Sequence, residues 1–238
     1  ANPYIENASV MASSRRVISE KLAPEIAWNY GTSVTHKFEL GGREMSVNLD
    51  YYFTDFQNQV VVDLENPDEV SFYNLQGKSY SHSFQSEVSA QITQQLEIKA
   101  AYKLYDIKTD YQTGLKEKPL VPKNRALVNI GYISNFDKWK FDLTGQWFDV
   151  SRLPSTATNL IENQISTSSK PFITLNGQIT RAFKRIEFYL GVENMTNFRQ
   201  DSPIIAATDP FGSDFDASLI WGSVNGRIAY GGLRFKIQ

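Results

Sequence analysis

The feature that most constrains this chain is a period-two alternation of apolar and polar residues, recurring from Trp28 to the carboxyl terminus. Side chains of a strand point to opposite faces in turn, so each such segment predicts a strand with one apolar and one polar face. The first sets Trp28, Tyr30, Val34, Phe38 and Leu40 against Asn29, Ser33, Thr35, Lys37 and Glu39. Gly41-Gly42 then makes a two-residue hairpin turn, because glycine tolerates positive φ. The second sets Met45, Val47, Leu49, Tyr51 and Phe53 against Glu44, Ser46, Asn48 and Asp50. Its phase flips near Thr54-Asp55 before Phe56, Val60, Val62 and Leu64, which predicts a β-bulge there. Seven more segments follow, at 80–92, 96–104, 126–132, 139–147, 173–179, 186–192 and 229–237.

The links between these nine segments alternate in length. After the first, third, fifth and seventh they run about two to five residues; after the second, fourth, sixth and eighth, roughly 15 to 30 or more. A soluble sandwich has no reason to sort its loops by end. A transmembrane β-barrel does, with short periplasmic turns and long extracellular loops. The strands also suit the roughly 9–11 tilted residues that cross a bilayer, where soluble strands are nearer 5–6. Composition agrees: 15 Phe, 12 Tyr and 4 Trp sit in a chain of negative mean hydropathy. The expected fold is an all-β, antiparallel transmembrane β-barrel. Residues 1–26 read mostly as extracellular loop and 27–238 as strands with short and long connections. In that orientation the carboxyl terminus is periplasmic. Trp28, Tyr30, Tyr51, Tyr102 and Trp147 fall toward the outer membrane interface, and Phe38, Tyr132, Trp139 and Phe141 toward the inner one. Amphipathic rings favour both levels.

Other classes are poorly served. There is no cysteine, hence no disulfide framework, thiolate metal site or Cys nucleophile. A net charge of −2 is no nucleic-acid footprint. Apolar runs reach only about four residues, far short of the roughly 20 a membrane helix needs. No G-x-S-x-G, G-x-x-x-x-G-K or H-E-x-x-H motif is present, so no enzyme activity, cofactor or metal is expected. His36 and His82 fall in the lipid-facing phase and read as wall residues rather than ligands. Asp201, Asp209, Asp214 and Asp216 share one loop; carboxylate clusters attract hard cations, but Asp also simply makes turns. The loop 106–125 carries Lys108, Lys116, Lys118, Lys123 and Arg125, which suits either a solvated loop or attraction of an anionic chelate or lipid phosphate. Asn48, Asp50, Gln146 and Asn176 are lumen-facing polar candidates for a ligand path. No signal peptide opens the chain, and single-chain bacterial barrels have even strand numbers. Nine strands therefore predict a carboxyl-terminal section of something larger.

Several motifs carry a family resemblance. The closing Gly226–Gln238 stretch, with Leu233, Phe235 and Ile237 in phase and Gln238 after them, resembles the final strand of TonB-dependent outer-membrane receptors. In that family the strand is read by the barrel-assembly machinery. Leu190-Gly191-Val192-Glu193-Asn194-Met195-Thr196-Asn197 resembles its Asn-Leu-Thr-Asn strand end. Leu22-Ala23-Pro24-Glu25 with Trp28-Asn29-Tyr30-Gly31 is similar to its entry strand, and 51–56 with Asn58 and Val60 to the next. Asn74, Gly77 and Glu87 match the following strand in part. Gln200–Ile205 and Asp209-Pro210-Phe211-Gly212 resemble Bacteroidota members.

The resemblance implies that the chain supplies about nine or ten carboxyl-terminal strands of a 22-stranded barrel. The plug domain and earlier strands would lie elsewhere, on the same or a second chain. It further implies TonB-dependent import, with TonB contacting the absent plug region, and ferric siderophore as the commonest cargo. Oligosaccharide or peptide import is the alternative within the family; a passive porin or structural barrel is the alternative outside it. Implied partners are outer-membrane lipid, lipopolysaccharide and a surface lipoprotein.

Overall fold

The computed structural model describes residues 7–235. Its strands are β1 (Arg16–Ser19), β2 (Ile26–Leu40), β3 (Arg43–Asn58), β4 (Val60–Asp63), β5 (Glu69–Asn74), β6 (Ser79–Gln91), β7 (Leu96–Tyr111), β8 (Gly114–Glu117), β9 (Asn124–Ile133), β10 (Trp139–Phe148), β11 (Phe172–Ala182), β12 (Ile186–Glu193) and β13 (Ile228–Phe235). Nine form one antiparallel meander, β2-β3-β6-β7-β9-β10-β11-β12-β13, with β8 folded back on β7. These nine coincide with the nine alternating segments of the sequence. Among the described residues β2 and β13 are the two edges of the sheet.

Register places the alternation as expected. Val34 faces Leu49, Leu49 faces Ser86, and Ser86 faces Tyr102, all on one face. That face is unusually bare: Val34 is 56% and Leu190 73% exposed. The opposite face is a polar ladder. Ser33 Oγ donates to Asp50 (2.6 Å), and Asn129 Nδ2 donates to Asp142 (3.1 Å) and Thr144 (2.8 Å).

The short turns have local causes. Gly41 and Gly42 both take positive φ, 61° and 71°, the pair a type I′ hairpin requires. In the turn after β6, Thr93 Oγ1 accepts from the amides of Gln95 and Leu96. Ser134 Oγ accepts from Trp139 N (2.9 Å) and closes the turn after β9.

Two expectations need correction, the bulge in β3 and the extent of the basic loop, and one gains detail. The irregularity in β3 is not at Thr54-Asp55, where pairing is continuous; the register slips opposite Ile26/Ala27, leaving Gln57 extra just where the strand leaves the sheet. Residues 1–26 read mostly as loop, and within them the four residues Arg16–Ser19 run parallel to β5, which pairs β4, making a second, three-stranded sheet. The basic loop 106–125 is shorter than read, because β7 continues to Tyr111 and returns as β8. Leu233 and Phe235 lie on the exposed apolar face of β13; Ile237 lies outside the described residues.

Candidate functional site

The long connections all leave the same end of the meander and pack into a layer of their own. Val10, Leu64, Val70 and Phe72 form one buried cluster, and Val61, Tyr73 and Tyr111 another. Fully burying each such side chain contributes about 1.5–3 kcal/mol. Around them, ion pairs with at least one buried partner join segments remote in sequence. Glu65 accepts from Lys116 and Arg152, both at 2.6 Å. Burial opposes its ionisation, but the two cations outweigh that and hold its carboxyl below the usual range. Arg15 meets Asp216 at 3.1 Å, with both side chains 5% exposed. Tyr73 donates to Asp63 (2.7 Å); burial and that carboxylate push its phenol well up.

Beside this layer the polar face opens into a cavity of about 570 Å³ between β9–β11 and the loop 194–227. Arg125, Gln146, Phe148, Asn176, Glu193 and Trp221 lie on its wall. Phe148, Phe172 and Phe198 stack in series at 4.7 and 4.4 Å between centroids, and Trp221 leans on the last two. Two buried amides fix the loop there. Gln200 Nε2 donates to Leu219 O (2.9 Å), while its Oε1 accepts from Trp221 N (2.8 Å) and Gly222 N (3.1 Å). Asn194, at φ 49°, donates to Phe198 O and Asn225 O and accepts from Phe198 N. The Asn194–Asn197 motif thus ends β12 and pins both stems of the loop; Arg227 N donates to Asn197 Oδ1 (3.0 Å).

Of the lumen candidates, the structure brings Gln146 and Asn176 into this cavity, while Asn48 and Asp50 lie across the sheet on β3. Three of the four loop aspartates, Asp201, Asp214 and Asp216, hold separate partners. Asp201 pairs Lys170, Asp214 accepts from Leu160 N and Asn163, and Asp216 holds Arg15 and Ser218. Donors at Asn163 and Leu160 keep Asp214 below the usual carboxyl range. Three of the loop's cations meet carboxylates: Lys108 with Asp106, Lys116 with Glu65, Lys123 with Glu117. Both histidines sit on the apolar face; His36 stacks on Phe38, and His82 bonds Tyr51 Oη (2.8 Å) among Phe53 and Tyr80. Trp28, Tyr30, Tyr51, Tyr102, Tyr132, Trp139 and Phe141 are exposed on that same face, and Trp147 is half-buried there. Sequence reasoning does not single out Phe148, Phe172, Phe198, Gln200 or Trp221 as site residues; the signals near them are the Asn194–Asn197 and Gln200–Ile205 motifs.

A sheet of this length with every long loop at one end matches a known family: residues 4–195 fit the model for "TonB dependent receptor-like, beta-barrel". The chain belongs to that family. The β-barrels of this family are outer-membrane proteins. No curated protein matches the chain. Among solved structures it is similar to Pseudomonas aeruginosa FpvA bound to a pyoverdine–iron complex, with 16% identity and a TM-score of 0.63 over 90% of this chain and 27% of that one. It is similar to the FrpB iron transporter of Neisseria meningitidis (14%, TM-score 0.58, 93% and 32%). It is also similar to the copper transporter OprC (11%, TM-score 0.59, 88% and 31%). The chain spans roughly a third or less of those proteins' lengths.

Proposed function

We propose that this chain forms part of the wall and the extracellular rim of a TonB-dependent importer for a scarce nutrient, with a ferric siderophore or similar metal chelate as cargo. The observation that carries the reading is the cavity beside the loop layer: a fixed aromatic and carboxamide wall, opening on the polar face at the long-loop end. In this reading that end is extracellular, and the short turns and carboxyl terminus are periplasmic. The solved neighbours described as iron and copper transporters support a metal-chelate cargo. The motifs at 200–205 and 209–212 support a Bacteroidota-type member.

The chemistry fits capture followed by release. A rim held by buried ion pairs keeps its shape while a ligand docks, which lowers the ordering cost of binding. The lumenal ladder stays polar and hydrated for passage. Energy would come from TonB acting on a plug, and remaining strands would close both sheet edges, since unpaired edges are not tolerated in hydrocarbon. Outer-membrane lipid, lipopolysaccharide and a surface lipoprotein are the proposed neighbours. The exposed rings from Trp28 to Trp147 are proposed as two interfacial girdles, and Leu233, Phe235 and Ile237 as the assembly signal.

Uptake of radiolabelled ferric siderophore by cells with and without TonB tests the reading. TonB-dependent uptake that is lost on deleting this protein is the expected result. Uptake unchanged by the deletion contradicts the metal-chelate cargo. A second cargo, neutral oligosaccharide, is favoured by the near balance of charge at the cavity, where Arg125 and Glu193 face a wall of rings and amides. Growth of the same deletion strain on oligosaccharide distinguishes the two. Ion conductance through the purified protein without TonB would instead support a passive pore.

A further inference from the structure

On the apolar face of β11, Gly177 presents no side chain where its paired neighbours carry Leu143 and Val192. The gap is an apolar groove of about 580 Å³ walled by Ile130, Leu143, Ile179, Leu190, Val192 and Met195. Met195 Sδ would stand 3.2 Å from a Cβ placed at Gly177, so a flexible thioether forms one edge of the groove.

β11 runs on from the groove through Ile179 to Arg181, about 7 Å for each two residues. Arg181 is opposite Trp139 and therefore on the same lipid-facing side. Its guanidinium lies 4.6 Å from the Trp139 ring centroid and 5.4 Å from that of Phe183. Lys138 sits 5.6 Å from the Phe136 ring in the neighbouring turn, which a Lys138 carbonyl–Ala182 amide hydrogen bond joins to the end of β11. Lys184 and Arg185 are exposed in the next turn. Among the described residues none of these four cations makes an ion pair with a carboxylate. The turns themselves contain one acid, Asp137; the nearby Glu187 is on the lumenal face, held by Lys140 and Arg234. A cation cluster braced on aromatic rings thus ends an apolar groove long enough for part of an acyl chain.

We propose that this is a binding site for one anionic glycerophospholipid of the leaflet at the short-turn end. Its phosphodiester sits on Arg181 and the turn cations, and one acyl chain lies in the groove over Gly177. Charge complementarity selects the headgroup, since juxtamembrane cations attract anionic lipid; the groove's apolar walls select the chain. The site rests on the reading that the apolar face meets the bilayer with its short turns toward the periplasm.

The test is native mass spectrometry of the intact protein, purified in detergent and equilibrated with phosphatidylglycerol or phosphatidylcholine. The wild type retains phosphatidylglycerol preferentially. Arg181→Gln lowers that retention about fivefold, equivalent to about 1 kcal/mol for one cation. Gly177→Leu fills the groove and lowers retention of both lipids while the preference persists. Circular dichroism checks that each variant keeps its β-sheet. Equal retention of the two lipids by folded, detergent-held protein, or an Arg181→Gln variant like the wild type, overturns the lipid site and leaves the barrel intact. A protein that folds in water without detergent overturns the barrel reading, and the lipid site with it.

Discussion

The wall and the loop layer of this protein obey opposite rules of burial. The buried hydrophobic side chains among the described residues are Val10, Val61, Leu64, Val70, Phe72, Tyr73, Ala90, Tyr111, Leu153, Ile205 and Leu219. Only Ala90 lies in the wall away from the loop end. The wall instead shows its large apolar residues, Leu49, Val88, Val128, Ile179 and Leu190 among them, on an open face. A water-soluble sheet would cover such a face. The loop layer folds as a small soluble domain does, around its own core and buried ion pairs. In the proposed reading the wall takes hydrocarbon as the solvent of its apolar face. One chain therefore holds two stability problems, and substitutions separate them.

The largest effect belongs to the loop layer. Phe72 is fully buried, and Phe72→Ala is expected to cost about 3–5 kcal/mol. Hydrogen exchange should show amides of β4 and β5 losing protection while the meander keeps its own. Loss of protection throughout the sheet would mean that the two regions are not separable. Next comes the wall. Val128 is 45% exposed at mid-strand, and a surface Val→Arg in water is close to neutral. In lipid Val128→Arg is expected to cost about 2–4 kcal/mol, measured by denaturant titration in vesicles. A neutral result would remove lipid from that face.

The third contrast is pH. Glu65 has a lowered pKa in the folded protein, so its contribution is present above its ordinary value of 4.5 and is lost as pH falls through the folded value. The loop layer should loosen on acidification below 4.5, and Glu65→Gln should remove that part of the pH dependence. Protease nicking of the loops against pH reads it. The smallest effect is at Lys170–Asp201, 2.7 Å apart but 74% and 72% exposed. Lys170→Ala is expected to change stability by about 0–1 kcal/mol, and less in high salt.

The same contrast explains what was legible in the sequence. Wall strands bury nothing against a distant partner, so period two and turn residues such as Gly41-Gly42 suffice to locate all nine. The loop layer depends on contacts between residues far apart, Arg15 with Asp216 and Glu65 with Arg152, and no local period announces them. β1 is four residues long and all exposed, and it exists because β5 is beside it. The phase flip in the sequence points to a bulge near Thr54-Asp55, but Phe56 stays in register with Ser79, and only at Gln57 does the strand depart. The cavity was half legible. Gln146 and Asn176 follow from strand phase, whereas Trp221 reaches it only because Gln200 bonds the backbone of 219–222. The Asn194–Asn197 motif is visible as a resemblance, whereas its role as a loop pin lies in contacts with Phe198, Asn225 and Arg227 that no local pattern announces.

The most direct test uses the absence of cysteine from the sequence. Single cysteines placed in turn at 126–131 along β9 can be spin-labelled in the intact protein in lipid vesicles, and their collision with oxygen and with a water-soluble nickel chelate measured. The account predicts period two: oxygen at 126, 128 and 130, the chelate at 127, 129 and 131. Equal access of the chelate to both sets would contradict a membrane wall.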